Sequence, residues 1–460
     1  MTPATARGRH LWLAIGLVAV FGATHAVLIY QSFAPDTTAG ANDVWLYAWW
    51  VQQANVMGGW PGIDAQWVYP VGALAPMLLA SVTGTGTSYL TTWCIMITLI
   101  NLATAAVVLY QFGLTRAAGP LAGWFVFLML LGPCGIARLD AVMMPLVLIA
   151  LALAASRPAL ATVLLTCSAW IKVSGGAVLI ALVAVLGSWR ERFYRLLLPA
   201  ALTCLAVFAL QRMTGGQLRF LLSFVSAESD RGLQIEAVLA TPVVLAHALR
   251  GEQLYWWNAE LSTCETWGPG AELAIRVSDI AMPLMAVTVG ILTWLARRHP
   301  QAALVTGSMA LMSGLIVTHK VGSPQFVAWL APAAVAALCL RNRLRFWLPV
   351  SAALLAASTL TGLLYPSGYL AFLNSSGLML TVWVIRNALV VAVFVASLTE
   401  LVRLSRSSPL GAVSSGHDSP GVDPSGDLPG AVPGGLPGAA PGRGAEWHPE
   451  PRPSNRSRSA

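Results

Sequence analysis

Three groups of polar residues stand where an otherwise apolar chain could have avoided them, and each carries groups suited to an anionic substrate. In the first, residues 42–72, Asp43, Tyr47 and Trp50 fall at i, i+4 and i+7, which places them on one helical face. A carboxylate half removed from water there could serve as a general base toward an acceptor hydroxyl. The plainer alternative is an interfacial anchor helix with Asp43 at its N-cap or first turn. Trp45, Trp49, Trp60 and Trp67 add an aromatic belt suited to headgroup depth. Asp64, in a Pro-Gly turn, reads as ordinary turn chemistry.

The second group is Ser226–Glu236, where Arg231 lies beside acidic residues and ahead of Gln234 and Glu236. A guanidinium fork matches a phosphate; an exposed salt bridge of little energetic weight is the alternative. The third, Thr318–Gln325, sets His319, Lys320 and Gln325 between two apolar segments. Lys172 and Lys320 are the only lysines, and both are placed on the external side, against the positive-inside trend. An ionisable group at a membrane rim is a functional candidate by default, with a snorkelling lysine as the alternative. Arg138 and Asp140 form a weaker fourth group and could simply pair with each other.

The elements that must position these groups are membrane spans. Of 460 residues, 57% are apolar and 10% charged, with mean hydropathy +0.69; a soluble domain carries about 25% charged residues. Apolar stretches recur at 11–30, 90–113, 118–136, 196–211, 277–296, 301–318, 324–340, 346–364 and 378–402, and about 20 helical residues cross a bilayer. Residues 141–187 hold about three shorter pieces, broken at Arg157-Pro158 and Lys172, and 71–88 is a short span or re-entrant. Segment 11–30 lacks a convincing small-residue cleavage site and reads as a retained first helix. The expectation is an all-α, polytopic membrane protein of 11–13 transmembrane helices. Its domain covers residues 1–405; 406–460, rich in Pro, Gly and Ser, reads as a disordered cytoplasmic tail.

Arginines set the orientation. Those at 7, 9, 116, 157, 190, 192, 195, 297, 298, 341, 343, 345, 403 and 406 belong inside, which leaves loops 34–70 and 212–275, with 319–323, outside. Of 14 carboxylates before residue 405, only Glu191 and Glu400 then lie inside. The net charge of +8 forms no nucleic-acid patch, and the six scattered cysteines form no disulfide framework. No nucleotide-phosphate loop, HExxH helix or DxD pair occurs, which disfavours ATP-driven pumps and metal-dependent nucleotide-sugar enzymes.

Read in order, D-x-x-x-Y (Asp43, Tyr47), Tyr69-Pro70, Asp230–Glu236 and His319–Gln325 resemble GT-C membrane glycosyltransferases. They are most similar to actinobacterial members of glycosyltransferase family 87, the polyprenyl-phosphate-mannose-dependent mannosyltransferases. The resemblance spans about residues 10–400; Val71 stands where the family often has a second proline. It implies inverting transfer of a hexose, mannose or in relatives arabinose, from a polyprenyl-phosphate sugar to a glycolipid or lipoglycan. Transfer would occur on the outer face of the plasma membrane, without metal or other cofactor. Asp43 corresponds to the base, and Arg231, His319 and Lys320 to the donor-phosphate ligands. Tyr47, Trp50, Tyr69, Gln234, Glu236, Gln325 and Lys172 are the further substrate-binding candidates. The rivals are a lipid-linked-glycan ligase or flippase and a secondary transporter.

Overall fold

The computed structural model describes residues 3–34, 42–229, 231–259, 262–341 and 343–407. Of the expected tail, 406–460, Arg406 ends the last helix and residues 408–460 lie outside the described residues, as do Asp230 and residues 35–41 of the first expected external loop. Among the described residues, eight helices are long and apolar enough to cross a membrane: Gly8–Phe33, Thr87–Phe112, Leu114–Gly135, Trp189–Met213, Pro269–Leu295, Pro300–Thr318, Leu344–Leu364 and Gly377–Arg406. The protein is an all-α polytopic membrane protein. Six further apolar helical stretches, 71–83, 140–153, 158–171, 173–185, 238–250 and 324–340, run only 10–17 residues. A count of 11–13 crossings therefore requires some of these short pieces to cross in combination.

The short pieces arise where the sequence interrupts the helix. Pro158 opens Pro158–Ile171, and Lys172 then takes an extended conformation (φ −153°, ψ 124°) before a 3₁₀ turn leads into Val178–Val185. After Thr318 the chain is again extended at His319 and resumes helical structure only at Pro324. Each break puts one of the two lysines at or beside a point where helical hydrogen bonding lapses.

Pro300–Thr318 and Ala331–Leu340 are buried along nearly their whole length and form the centre of the bundle. Trp189–Met213 and Pro269–Leu295 lie outside them, with Leu202, Leu205, Ile280, Leu284 and Ile291 exposed. Such apolar outer faces suit hydrocarbon, because the helices satisfy their own backbone groups. The first helix packs on Leu114–Leu131 through an edge-on Phe21–Phe125 contact, ring centroids 5.1 Å apart, and through Thr24, which donates to the Phe125 carbonyl.

The bundle has two distinct ends. Leu344–Leu364 has 21 residues and so spans about 30 Å at 1.5 Å per residue. At its start Arg341 donates to the Thr115 carbonyl and Arg343 pairs with Glu400; just past its finish Tyr365 meets Arg138. Gln111, Thr115, Ser156, Arg341 and Arg343 gather at one end. Asp43, Arg138 and Tyr365 gather at the other. The separation follows the arginine-based partition of the sequence.

The segment 212–275 contains one departure from an all-helical reading, a three-stranded antiparallel sheet. Its strands β1 (Leu233–Gln234), β2 (Trp256–Asn258) and β3 (Thr263–Thr266) are ordered β1-β3-β2, with Leu233 opposite Thr266 and Trp257 opposite Cys264. Such two- to four-residue strands carry no alternation long enough to read. Beneath them Leu233, Ile235, Val244, Phe372 and Trp383 form a small separate core.

Gly322 joins this cap to the bundle. A Cβ there would run into the backbone of Glu236 and Ala237, while its N–H donates to the Gln234 side-chain oxygen at 3.0 Å. Gly322→Ala is therefore expected to lower the thermal melting temperature of the purified protein, because backbone rather than a mobile side chain must give way.

Candidate functional site

Asp43 opens the helix Asn42–Met57, whose Val44, Tyr47 and Val51 are buried. Its carboxylate is held by Arg138, Asp43 Oδ2 lying 3.0 Å from Arg138 Nε, with side-chain exposures of 30% and 4%. The guanidinium is itself fixed: it donates to the Tyr365 hydroxyl at 3.2 Å and to the Ala137 carbonyl at 3.0 Å. Asp43 is thus not an unpaired rim carboxylate but a half-exposed one anchored by a buried cation.

Asp140, two residues beyond Arg138, does not complete a local pair with it. Lys172 reaches across from the helix break and contacts both Asp140 oxygens, at 2.9 and 2.8 Å. Trp329 Nε1 donates to the same carboxylate. The ammonium also lies over the rings of Phe326 and Trp329, 4.8 and 5.5 Å from their centroids. Asp140 is 2% exposed and Lys172 15%, so the pair is interior. Lys172, expected among the substrate ligands, is placed as the partner of a buried carboxylate. The space beside Asp140 is about 10 Å³, no more than one water occupies.

Tyr47 is also interior. Its hydroxyl accepts from the Leu139 N–H at 3.4 Å, and its ring packs against Trp50 and Trp93. Trp50 meets Trp67 and Tyr69 edge-on at 5.5 and 6.1 Å, so an aromatic panel backs Asp43. Burial raises the Tyr69 phenol, and the carboxylates of Asp43 and Asp140 raise it further, while Arg231 and Arg138 oppose them. Asp64 accepts from the Trp60 N–H at 3.1 Å, the turn role its context implied.

The segments carrying the expected phosphate ligands meet, but their side chains diverge in part. The Gln234 N–H donates to the Lys320 carbonyl at 3.0 Å, binding β1 to the 319–325 turn. Lys320 is buried, and its ammonium lies 3.5 Å from Asp279. His319 Nδ1 accepts from the Val321 N–H at 2.8 Å. Gln234 and Gln325 are both buried, and the Gln234 side chain is the acceptor for Gly322. The structure thus brings the two backbone segments together and directs Lys320 to Asp279.

Glu236 accepts from the Tyr369 hydroxyl. Arg386, which donates to the Glu236 carbonyl at 3.5 Å and to Asn387 Oδ1 at 2.7 Å, lies behind it. Burial pushes the Glu236 carboxyl up to about 7, against the opposing hydrogen bond from Tyr369. The folded chain therefore keeps this proton between the ordinary value of 4.5 and about 7, where the unfolded chain has released it. Stability contributed by this group falls as pH rises through that window. The melting temperature is expected to decline from pH 5 to pH 7.5, and Glu236→Gln is expected to flatten that decline.

Arg138 and Asp140 were visible in the sequence as a charged pair at a rim, although their crossed partners were not. Tyr365, Trp329 and Tyr369 gave no signal, because aromatic residues at membrane rims are common for anchoring alone. These elements together define a polytopic helical membrane protein with a charged, aromatic-backed site at one end of its bundle. No family model, curated protein or solved structure matches the chain.

Proposed function

We propose that the protein is a membrane glycosyltransferase that moves a hexose, mannose in the first instance, from a polyprenyl-phosphate sugar to a glycolipid or lipoglycan hydroxyl. The observation that carries the reading is Asp43: a half-exposed carboxylate, fixed by buried Arg138, at one end of the helical bundle. The acceptor oxygen attacks the anomeric carbon and its proton passes to Asp43. The bond from that carbon to the phosphate oxygen breaks, and polyprenyl phosphate leaves with the electron pair, inverting the centre. Arg231 is the cation proposed to meet the charge that develops on the departing phosphate. On the 319–325 turn His319, whose Nδ1 accepts from the Val321 N–H, carries its ring proton on Nε2, and Lys320 would have to turn from Asp279. Trp50 and Tyr69 supply the aromatic face against which a sugar can stack.

The protein is placed in the plasma membrane with the Asp43 end outside, a reading supported by the arginines gathered at the other end. The test is purified full-length protein in liposomes with radiolabelled polyprenyl-phosphate mannose and a mannosylated phosphatidylinositol acceptor. Label in the acceptor supports the reading, and its absence with arabinose donors as well overturns it. A secondary transporter is the second reading, favoured by the Lys172–Asp140 pair at a broken helix. Solute uptake into the same liposomes without any transfer would select it.

A further inference from the structure

A second site lies at the far end of the bundle, where helices Leu344–Leu364 and Gly377–Arg406 line a groove of about 690 Å³. Its mouth carries Arg341, Arg343, Arg345 and Arg403 against one carboxylate, Glu400. Their commitments differ. Arg341 donates to the Thr115 carbonyl at 2.6 Å, and Arg343 pairs with Glu400, which is 2% exposed. Arg403 lies 3.9 Å from the same carboxylate but is 68% exposed. Arg345 is exposed and, among the described residues, has no ion-pair partner. One carboxylate thus faces four cations, of which Arg345 and Arg403 are exposed and least committed to protein partners.

The remainder of the groove is apolar. Phe346, Pro349, Val350 and Ala353 line one wall, and Ala392, Val393 and Ala396 the other. A free phosphate would use the arginines and leave the walls bare. An acyl chain alone would use the walls and waste the charge.

We propose that this groove binds an anionic phospholipid, its phosphate between Arg345 and Arg403 and one acyl chain along the Phe346–Val350 and Val393 walls. Basic pockets between membrane helices recognise anionic headgroups in this way. The mouth lies at the start of Leu344–Leu364, a helix about 30 Å long whose other end leads to Tyr365 and Arg138, and the inference stands whether or not the protein transfers sugars.

The test is native mass spectrometry of the detergent-purified full-length chain titrated with dioleoyl-phosphatidylglycerol and, separately, dioleoyl-phosphatidylcholine. Retention of at least one phosphatidylglycerol about tenfold more tightly than phosphatidylcholine is expected. Arg345→Gln with Arg403→Gln is expected to cost about tenfold or more, at about 1 kcal/mol per basic residue near a membrane surface. Ala353→Leu with Ala396→Leu, which fills the walls and spares the arginines, is expected to weaken binding too, with all variants checked for an unchanged melting temperature. Equal binding of the two lipids overturns the proposal. So does complete displacement by millimolar inorganic phosphate, which would make this a plain anion site. Binding only by a chain ended at residue 407 would show that the tail fills the groove, and would also overturn it.

Discussion

Replacing Asp43 with Asn is expected to lower sugar transfer per folded molecule by about 10²–10⁴, the usual reach of general-base catalysis, and also to lower the melting temperature, because buried Arg138 loses its carboxylate partner. The structure sharpens the argument. With Oδ2 committed to Arg138, the other oxygen is the one offered to an acceptor hydroxyl, and the ion pair fixes its direction. Asparagine keeps the shape and one accepting oxygen but has no carboxylate to take the proton. Arg138→Lys is the companion variant, because lysine keeps the charge but not the fork that also reaches Tyr365. It is expected to slow transfer through misplacement of Asp43, and its pH profile separates it from loss of the base. Asp64→Asn serves as control. Asp64 is in the same segment, its carboxylate accepts only a turn N–H among the described residues, and most activity is expected to survive. Radiolabel transfer measured with all three proteins side by side decides the matter: an Asp43 variant that transfers at the parent rate removes Asp43 as the base, and Glu236 becomes the next candidate.

The spans were legible because hydropathy over about 20 residues is a strong, local signal. The breaks at Arg157-Pro158 and Lys172 were legible because proline and an isolated charge interrupt such a run. The site was legible only in outline. Asp43 and Tyr47 share a helical face in the sequence, but that Tyr47 would spend its hydroxyl on the Leu139 N–H depends on a contact 92 residues away. The crossed pairing is similar. Arg138 and Asp140 are neighbours in sequence, yet on the turn leading into Asp140–Leu153 they project differently, one toward Asp43 and one toward Lys172. Pairs formed across a bundle leave no spacing to read. The β1–β3–β2 cap was missed for another reason: its strands are shorter than any periodicity can register.

Lys172→Ala is expected to destabilise the protein by about 3–5 kcal/mol, the cost of leaving a buried charge without its partner. Asp140 is 2% exposed, and both its oxygens lie on the ammonium; Trp329 contributes one further donor, which cannot neutralise a carboxylate. Lys172 also loses its place over Phe326 and Trp329, so the alanine variant removes a cation–π contact along with the ion pair. A merely snorkelling lysine predicts a different result, since a side chain reaching for the rim could be shortened at little cost. The pair can be separated from its surroundings by a double-variant cycle. Lys172→Met alone and Asp140→Asn alone are each expected to destabilise, because each leaves an uncompensated charge, whereas Asp140→Asn with Lys172→Met removes both charges and is expected to recover much of the loss. Melting temperatures of the four purified proteins in one detergent provide the measurement. Additive losses in the double variant would mean that the two residues act separately, and that the short helices 140–153 and 158–171 are held together by packing alone. Recovery would identify the Asp140–Lys172 pair as the polar tie that joins those two short helices beneath the Asp43 site.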